Sequence, residues 1–303
     1  MATSKQNRES QDTLPSGDPS DYEAPKSAKD YIPGEQERIF LLGEGGAGKT
    51  TQYRTLSDKK IFLYAFDPNC LESLAGFDID YEVFTPEITD LDLSIKTLKR
   101  EKDKTGKAGS PVGDKPRIKR PEPMTYINWE DHFEKRMDGS FFRDYDVIGF
   151  DSATTFVDMI MDRVLYLNNR LGGNPEPGDY ASVTNTFSNV MRVLTSYGTT
   201  IMCTGHVERQ LDDTGRIRGK LLVPGRLRVR LPLLFTQIWG AECNSSASKE
   251  SFTIQTRPNR EFPMVRTTYP GLSMIEDVTI QDHDRPTDFG IGAILSGKRQ
   301  KED

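Results

Sequence analysis

The chain has 303 residues, 35% hydrophobic and 28% charged, with a formal net charge of -6. That length holds one large α/β domain with tails, or two small domains, and the acidic balance leaves any nucleic-acid contact to local basic patches. No apolar run approaches bilayer length, the N-terminal MATSKQNRES lacks a signal-peptide core, and Cys70, Cys203 and Cys243 form neither a metal-ligand spacing nor a disulfide framework. The expectation is a cytoplasmic protein with no membrane partner.

Residues 1–36 are polar and almost without apolar periodicity, so they are expected to form a disordered tail that cannot offset its ordering entropy. Arg38-Ile39-Phe40-Leu41-Leu42 is an apolar run suited to a buried parallel strand, and a Gly-rich loop then opens a helix at Lys49. Ile61–Phe66 reads as a second buried strand, ended by Pro68. Between 96 and 120, ten Lys/Arg stand against three acids with Gly and Pro among them, which marks a basic insertion spanning 96–125. A helix over 129–137 and a third strand, Tyr145–Asp151, precede a helix over 154–168 with apolar residues near helical spacing. Asn168–Tyr180 is loop by composition, 181–196 is helix, and Thr199–Thr204 is a fourth strand. His206 to Arg230 is polar and basic, the chain to 288 alternates short β-like runs with turns, and 289–303 reads as a charged tail. Strands alternating with helices over 37–288 give an α/β fold, a mostly parallel sheet flanked by helices.

Gly43-Glu44-Gly45-Gly46-Ala47-Gly48-Lys49-Thr50 matches G-x-x-x-x-G-K-[ST] at every fixed position. The glycines let successive backbone N–H groups turn inward on anionic oxygens. Lys49 is placed to neutralise β- and γ-phosphates, the Thr50 hydroxyl to ligate magnesium, and Thr51 to continue the phosphate-binding run. A plain glycine turn before a helix is the competing reading, and strand, motif and helix together outweigh it.

Asp151 ends the third strand, where P-loop enzymes keep a carboxylate for magnesium; the plainer reading is a turn acid. Asp67 and Asn69 follow the second strand and His206 the fourth, at the edge where open α/β sheets build their sites. Asp67 is a candidate to support magnesium or orient an attacking water, or else a turn residue before Pro68. His206 is a candidate γ-phosphate sensor or a structural histidine. The basic stretch 206–230 suits phosphate contacts, or is a solvated charged surface.

With GEGGAGKT, YAFDPN, VIGFDS, IMCTGH, LLVPGRLRVRLPLLFTQIW and FTIQTRPNREFPMVRTTYPG in that order between Arg38 and Pro270, the chain resembles the RecA-like P-loop ATPases. Within them it looks most like the phage nucleotide-binding proteins that include single-strand annealing ATPases. The resemblance implies ATP and Mg2+ as cofactors, and Lys49, Asp67, Asp151 and His206 as catalytic residues. It also implies assembly into a ring or filament, with a single-strand-binding or replication protein as a further partner. Two DNA-binding loops would fall at Asn168–Tyr180 and Glu208–Arg226, which nominates Arg209, Arg216, Arg218, Lys220 and Arg226 as contacts to single-stranded DNA. Arg257 or Arg266 would reach a neighbour's nucleotide. RecA proteins carry a catalytic glutamate two residues past the aspartate ending the second strand; here that position is Asn69, which cannot act as a general base. Two functions therefore compete. One is an ATPase acting on single-stranded DNA in recombination, annealing or replication. The other is a nucleotide-gated interaction module with little hydrolysis that recruits another replication or packaging protein. A small-molecule kinase ranks last, for want of an acceptor-binding motif.

Overall fold

Alternation along two short strands decides which face of the sheet each residue serves. In β1 (Arg38–Gly43) and β2 (Ile61–Ala65) every residue but Arg38 is buried, the mark of strands covered on both sides. Phe40, Leu42, Phe62 and Tyr64 point to one face; Ile39, Leu41, Ile61 and Leu63 point to the other. The computed structural model describes residues 36–85, 122–137, 139–211, 213–245 and 250–297. The N-terminal segment expected to be disordered, apart from Gln36, and the basic stretch 96–120 lie outside them.

The other strands are β3 (Asp80–Val83), β4 (Val147–Asp151), β5 (Thr200–Leu211), β6 (Ile217–Leu221), β7 (Gln237–Ser245), β8 (Glu250–Gln255) and β9 (Ile275–Asp277). They run in the order β3-β2-β4-β5-β1-β7-β8-β9. Pairing is parallel from β3 through β7 and antiparallel for β7 with β8 and β8 with β9. β6 folds back antiparallel on the outer part of β5, from Leu211↔Ile217 to Val207↔Leu221. β5 therefore lies between the strand that feeds the phosphate loop and the strand that ends in Asp151. The C-terminal ends of β1, β2, β4 and the parallel part of β5 share one edge.

Three helices cover the first face: α1 (Met124–Met137), α2 (Ala153–Leu167) and α3 (Pro177–Ser196). The core there is aromatic, with Trp129 and Phe156 centroids 4.4 Å apart and Phe66 stacked on Phe156 at 4.9 Å. α1 starts at Met124, inside the stretch assigned to the insertion. α3 starts at Pro177 with a capping box between Glu176 and Asp179, so Tyr180 belongs to a helix rather than to the loop before it. A one-turn helix, α4 (Leu227–Arg230), follows β6.

The second face carries a 3-10 helix, Thr50–Leu56, in place of the helix expected from Lys49, and α5 (Gly290–Leu295). The charged tail expected from 289 onward is thus displaced. Ile291 is fully buried, its N–H donates to Gln52 Oε1 at 3.1 Å, and the Gly292 N–H donates to Thr55 Oγ1 at 2.9 Å. A Cβ on Gly292 would stand 1.7 Å from the Thr55 carbonyl oxygen, so only glycine lets these backbones touch. The run Gly-Ile-Gly-Ala-Ile-Leu is apolar enough to bury, and it does. Among the described residues no helix is long and apolar enough to cross a membrane.

Candidate nucleotide site

β1 ends at Gly43 and passes into a loop where Gly46 and Gly48 take φ values of 78° and 74°, left-handed backbone that side chains disfavour. Gly48 is also crowded, since a Cβ there would lie 2.7 Å from the Phe252 ring on β8. Lys49 is 6% exposed, and its ammonium donates to the carbonyl oxygens of Gly43 at 3.1 Å and Glu44 at 2.8 Å. Burial lowers the Lys49 pKa, while the carboxylates of Asp151, Asp67 and Glu44 act against that shift.

Asp151 is 2% exposed, and both of its carboxylate oxygens are engaged. The Thr50 hydroxyl donates to Oδ2 at 2.5 Å and the Thr204 hydroxyl donates to Oδ1. Burial raises the Asp151 pKa; the two hydroxyls oppose the rise, Asp67 adds to it and Lys49 subtracts. Thr204 escaped the sequence reading. Its signal was a lone hydroxyl in the apolar run IMCTG, at the β5 position that pairs with Leu41 two residues before the loop.

Asp67 stands at the end of β2 and gathers groups from two other elements. Its Oδ1 accepts from Ser152 Oγ at 3.0 Å and from the Thr155 hydroxyl, and its Oδ2 lies 2.7 Å from His206 Nε2. Desolvation works to raise its pKa, but the bonds from His206, Thr155 and Ser152 outweigh it and the pKa is lowered. Ser152 Oγ also caps α2 by accepting from the Thr155 N–H at 3.3 Å. Thr154 Oγ1 accepts from the His206 N–H at 3.4 Å. Asn69, by contrast, is exposed, takes φ 64° and heads the 3-10 turn Cys70–Leu74. It is an exposed turn residue.

The residues present fit a nucleotide with magnesium. Left-handed glycines and a buried ammonium suit phosphate oxygens, and the Thr50 hydroxyl with the Asp151 carboxylate are the hard oxygen donors that Mg2+ takes. Among the described residues no group of three or more His, Cys, Asp or Glu gathers to hold a metal. Such an ion would complete its shell with phosphate oxygens and water.

The region expected to be a basic loop over Glu208–Arg226 is mostly a hairpin. Arg218 and Lys220 lie on β6, Arg216 immediately before it, and Arg226 at the start of α4. Lys220 Nζ reaches across the hairpin to Gln210 Oε1 at 2.9 Å. The Arg209 guanidinium donates to Glu261 at 2.6 Å and to Glu44 and Glu242 at 2.8 Å each. The other loop is tied inward as well, with Arg170 paired to Asp179 and Glu176. Arg266 donates to the carbonyls of Pro232 at 3.1 Å and Phe235 at 2.6 Å, and Arg257 to that of Leu272 at 2.9 Å. Both arginines knit loops of their own chain.

A sequence profile of the AAA domain family matches residues 35–263. The chain is an AAA-domain protein. The matched span runs from before β1 to beyond β8 and includes the phosphate loop, Asp67, Asp151 and His206. Membership makes this a P-loop ATPase domain, a kind that binds nucleotide, typically with magnesium. Its fold is α/β, a mostly parallel sheet flanked by helices. Among solved structures it is similar to the flagellar accessory protein FlaH of Methanocaldococcus jannaschii, at 12% identity and TM-score 0.39 over 82% of this chain and 87% of that one. It is also similar to a KaiC-like protein of Pyrococcus horikoshii, at 13% identity and TM-score 0.39 over 84% of this chain and 88% of that one. No curated protein matches the sequence at a significant level.

Proposed function

We propose that this AAA-domain protein is a phage ATPase that binds ATP with magnesium at Gly43–Thr51 and acts on single-stranded DNA in recombination, annealing or replication. The observation that carries hydrolysis is the linked pair of carboxylates at the strand ends: Asp151 held by Thr50 and Thr204, and Asp67 held by His206, Ser152 and Thr155. Lys49 neutralises phosphate charge, and Thr50 with Asp151 holds the metal. An imidazole that donates its Nε2 proton to Asp67 keeps Nδ1 as an acceptor. The Asp67–His206 pair thus supplies the acid–base group that Asn69 cannot. DNA binding rests on the sequence resemblance and on the basic hairpin with Arg216, Arg218, Lys220 and Arg226. The phosphate edge would lie near a neighbouring copy in a ring or filament.

The test is ATP turnover with magnesium, with and without single-stranded DNA. Lys49→Ala is expected to abolish it, and Asp67→Asn or His206→Ala to reduce it about 100-fold, the scale of a lost acid–base group. Arg216→Ala with Lys220→Ala is expected to weaken DNA binding and flatten its salt dependence. Tight ATP binding without turnover would favour the nucleotide-gated module, the reading that the exposed turn position of Asn69 supports. Unchanged turnover in Lys49→Ala would sink the site assignment.

A further inference from the structure

Arg209 is a basic residue of the hairpin with bonds that point back to the phosphate loop. It lies on β5 three positions beyond His206, and its guanidinium joins four parts of the chain. Its partners are Glu44 in the phosphate loop, Glu242 on β7 and Glu261 in the segment after β8. Glu261 also touches the hairpin through its backbone, accepting from the Gly219 N–H at 2.9 Å. Three carboxylates around one guanidinium leave the cluster negative. A cavity of about 240 Å3 opens against it, lined by Glu44, Gly45, Ala47, Arg209, Glu242 and Phe262 among others. The guanidinium has room to move and a choice of anions.

A polyanion held by the phosphate loop would stand beside Glu44, repel its carboxylate and compete for the nearest cation. A guanidinium is suited to that exchange because its planar fork serves carboxylate and phosphate alike. We propose that Arg209 is a positioning residue that reports triphosphate occupancy to the β5–β6 hairpin, giving up Glu44 for the terminal phosphate while Glu242 and Glu261 keep its base in place. The inference rests on the nucleotide-site reading above. It makes the hairpin conformation, and through it any ligand the hairpin holds, dependent on whether a tri- or a diphosphate is bound.

Hydrogen exchange over residues 207–221 tests this, with nucleotide affinities measured on the same samples using a non-hydrolysable ATP analogue and ADP. In the wild type the analogue is expected to change hairpin exchange and ADP to leave it as in the free protein. Arg209→Ala is expected to abolish that difference and to narrow the triphosphate-to-diphosphate affinity ratio about 10-fold, within the usual span of coupling between sites. Arg209→Lys, which keeps the charge but loses the fork, is expected to fall between. If Arg209→Ala raises hairpin exchange equally in all three states, Arg209 is a structural tie and the proposal fails. If the mutant responds as the wild type does, the proposal fails too. A wild type that binds neither nucleotide would overturn the nucleotide site itself, an outcome separable from the other two.

Discussion

On one face of the sheet, Trp129, Phe150, Phe156 and Phe187 interlock with Phe66 beneath three helices of ordinary length. On the other, the helix that carries the phosphate loop is a 3-10 helix of seven residues, backed by a helix of six. It is joined to that helix by Gln52, Thr55 and a glycine contact. Large side chains hold the first face through area and shape. The second has an apolar cluster of its own, with Tyr53, Leu56, Trp239 and Ile291, and adds directed bonds between buried polar groups, which give little on average but are expensive to leave unmade. The face that must hold a phosphate loop in one geometry uses the more directional device.

That contrast can be broken from either side. The largest effect is expected from Phe187→Ala, which leaves a hole among the rings and should cost about 3–5 kcal/mol in denaturant unfolding. Nucleotide affinity should change little; a parallel loss of affinity would mean the two faces are not separable. Gly292→Val should cost less, about 1–3 kcal/mol for forced overpacking, yet it should weaken nucleotide binding because it pushes α5 off Thr55. Retained affinity with α5 exposed to protease would show that the phosphate helix stands without its backing. The smallest effect is a pH dependence at Asp67. Its pKa is lowered from about 3.8, so its contribution to stability is present above that value and fades as pH falls through the folded pKa. Asp151 works the other way, since burial raises its pKa and acid relieves the cost of its charge. The stability gap between wild type and Asp67→Asn should therefore close in strong acid; a gap unchanged from neutral pH to pH about 2 would remove the assigned role of those hydrogen bonds.

Much of the first face was legible in the sequence because it repeats. Apolar runs marked β1, β2, β4 and the start of β5, helical spacing marked α2, and the phosphate loop announced itself by its fixed residues. What escaped reading was set by contacts distant in the chain. Arg209 read as a contact to single-stranded DNA, and its ties to Glu44, Glu242 and Glu261 come from distant parts of the chain. Thr204 looked like strand filler until Asp151 arrived from β4. The hairpin was read as a loop because its charges hid the alternation around the Gly215 turn, although Leu211 and Ile217 pair directly. α5 was read as the start of a tail because six residues of Gly, Ala, Ile and Leu are too few to show a period.

The bond between Gln52 and Ile291 spans 239 residues, and that separation sets an order of events during synthesis. The phosphate loop leaves the ribosome early, with its strand and its fixed residues complete, but the backing of its helix is made near the end of the described chain. Closing so long a loop is slow compared with local pairing. A nascent chain stopped before residue 290 is therefore expected to fold most of its sheet and still fail to retain ATP on a nucleotide resin, whereas one released beyond residue 297 should hold it. Equal retention by the two would show that the site matures before its support arrives.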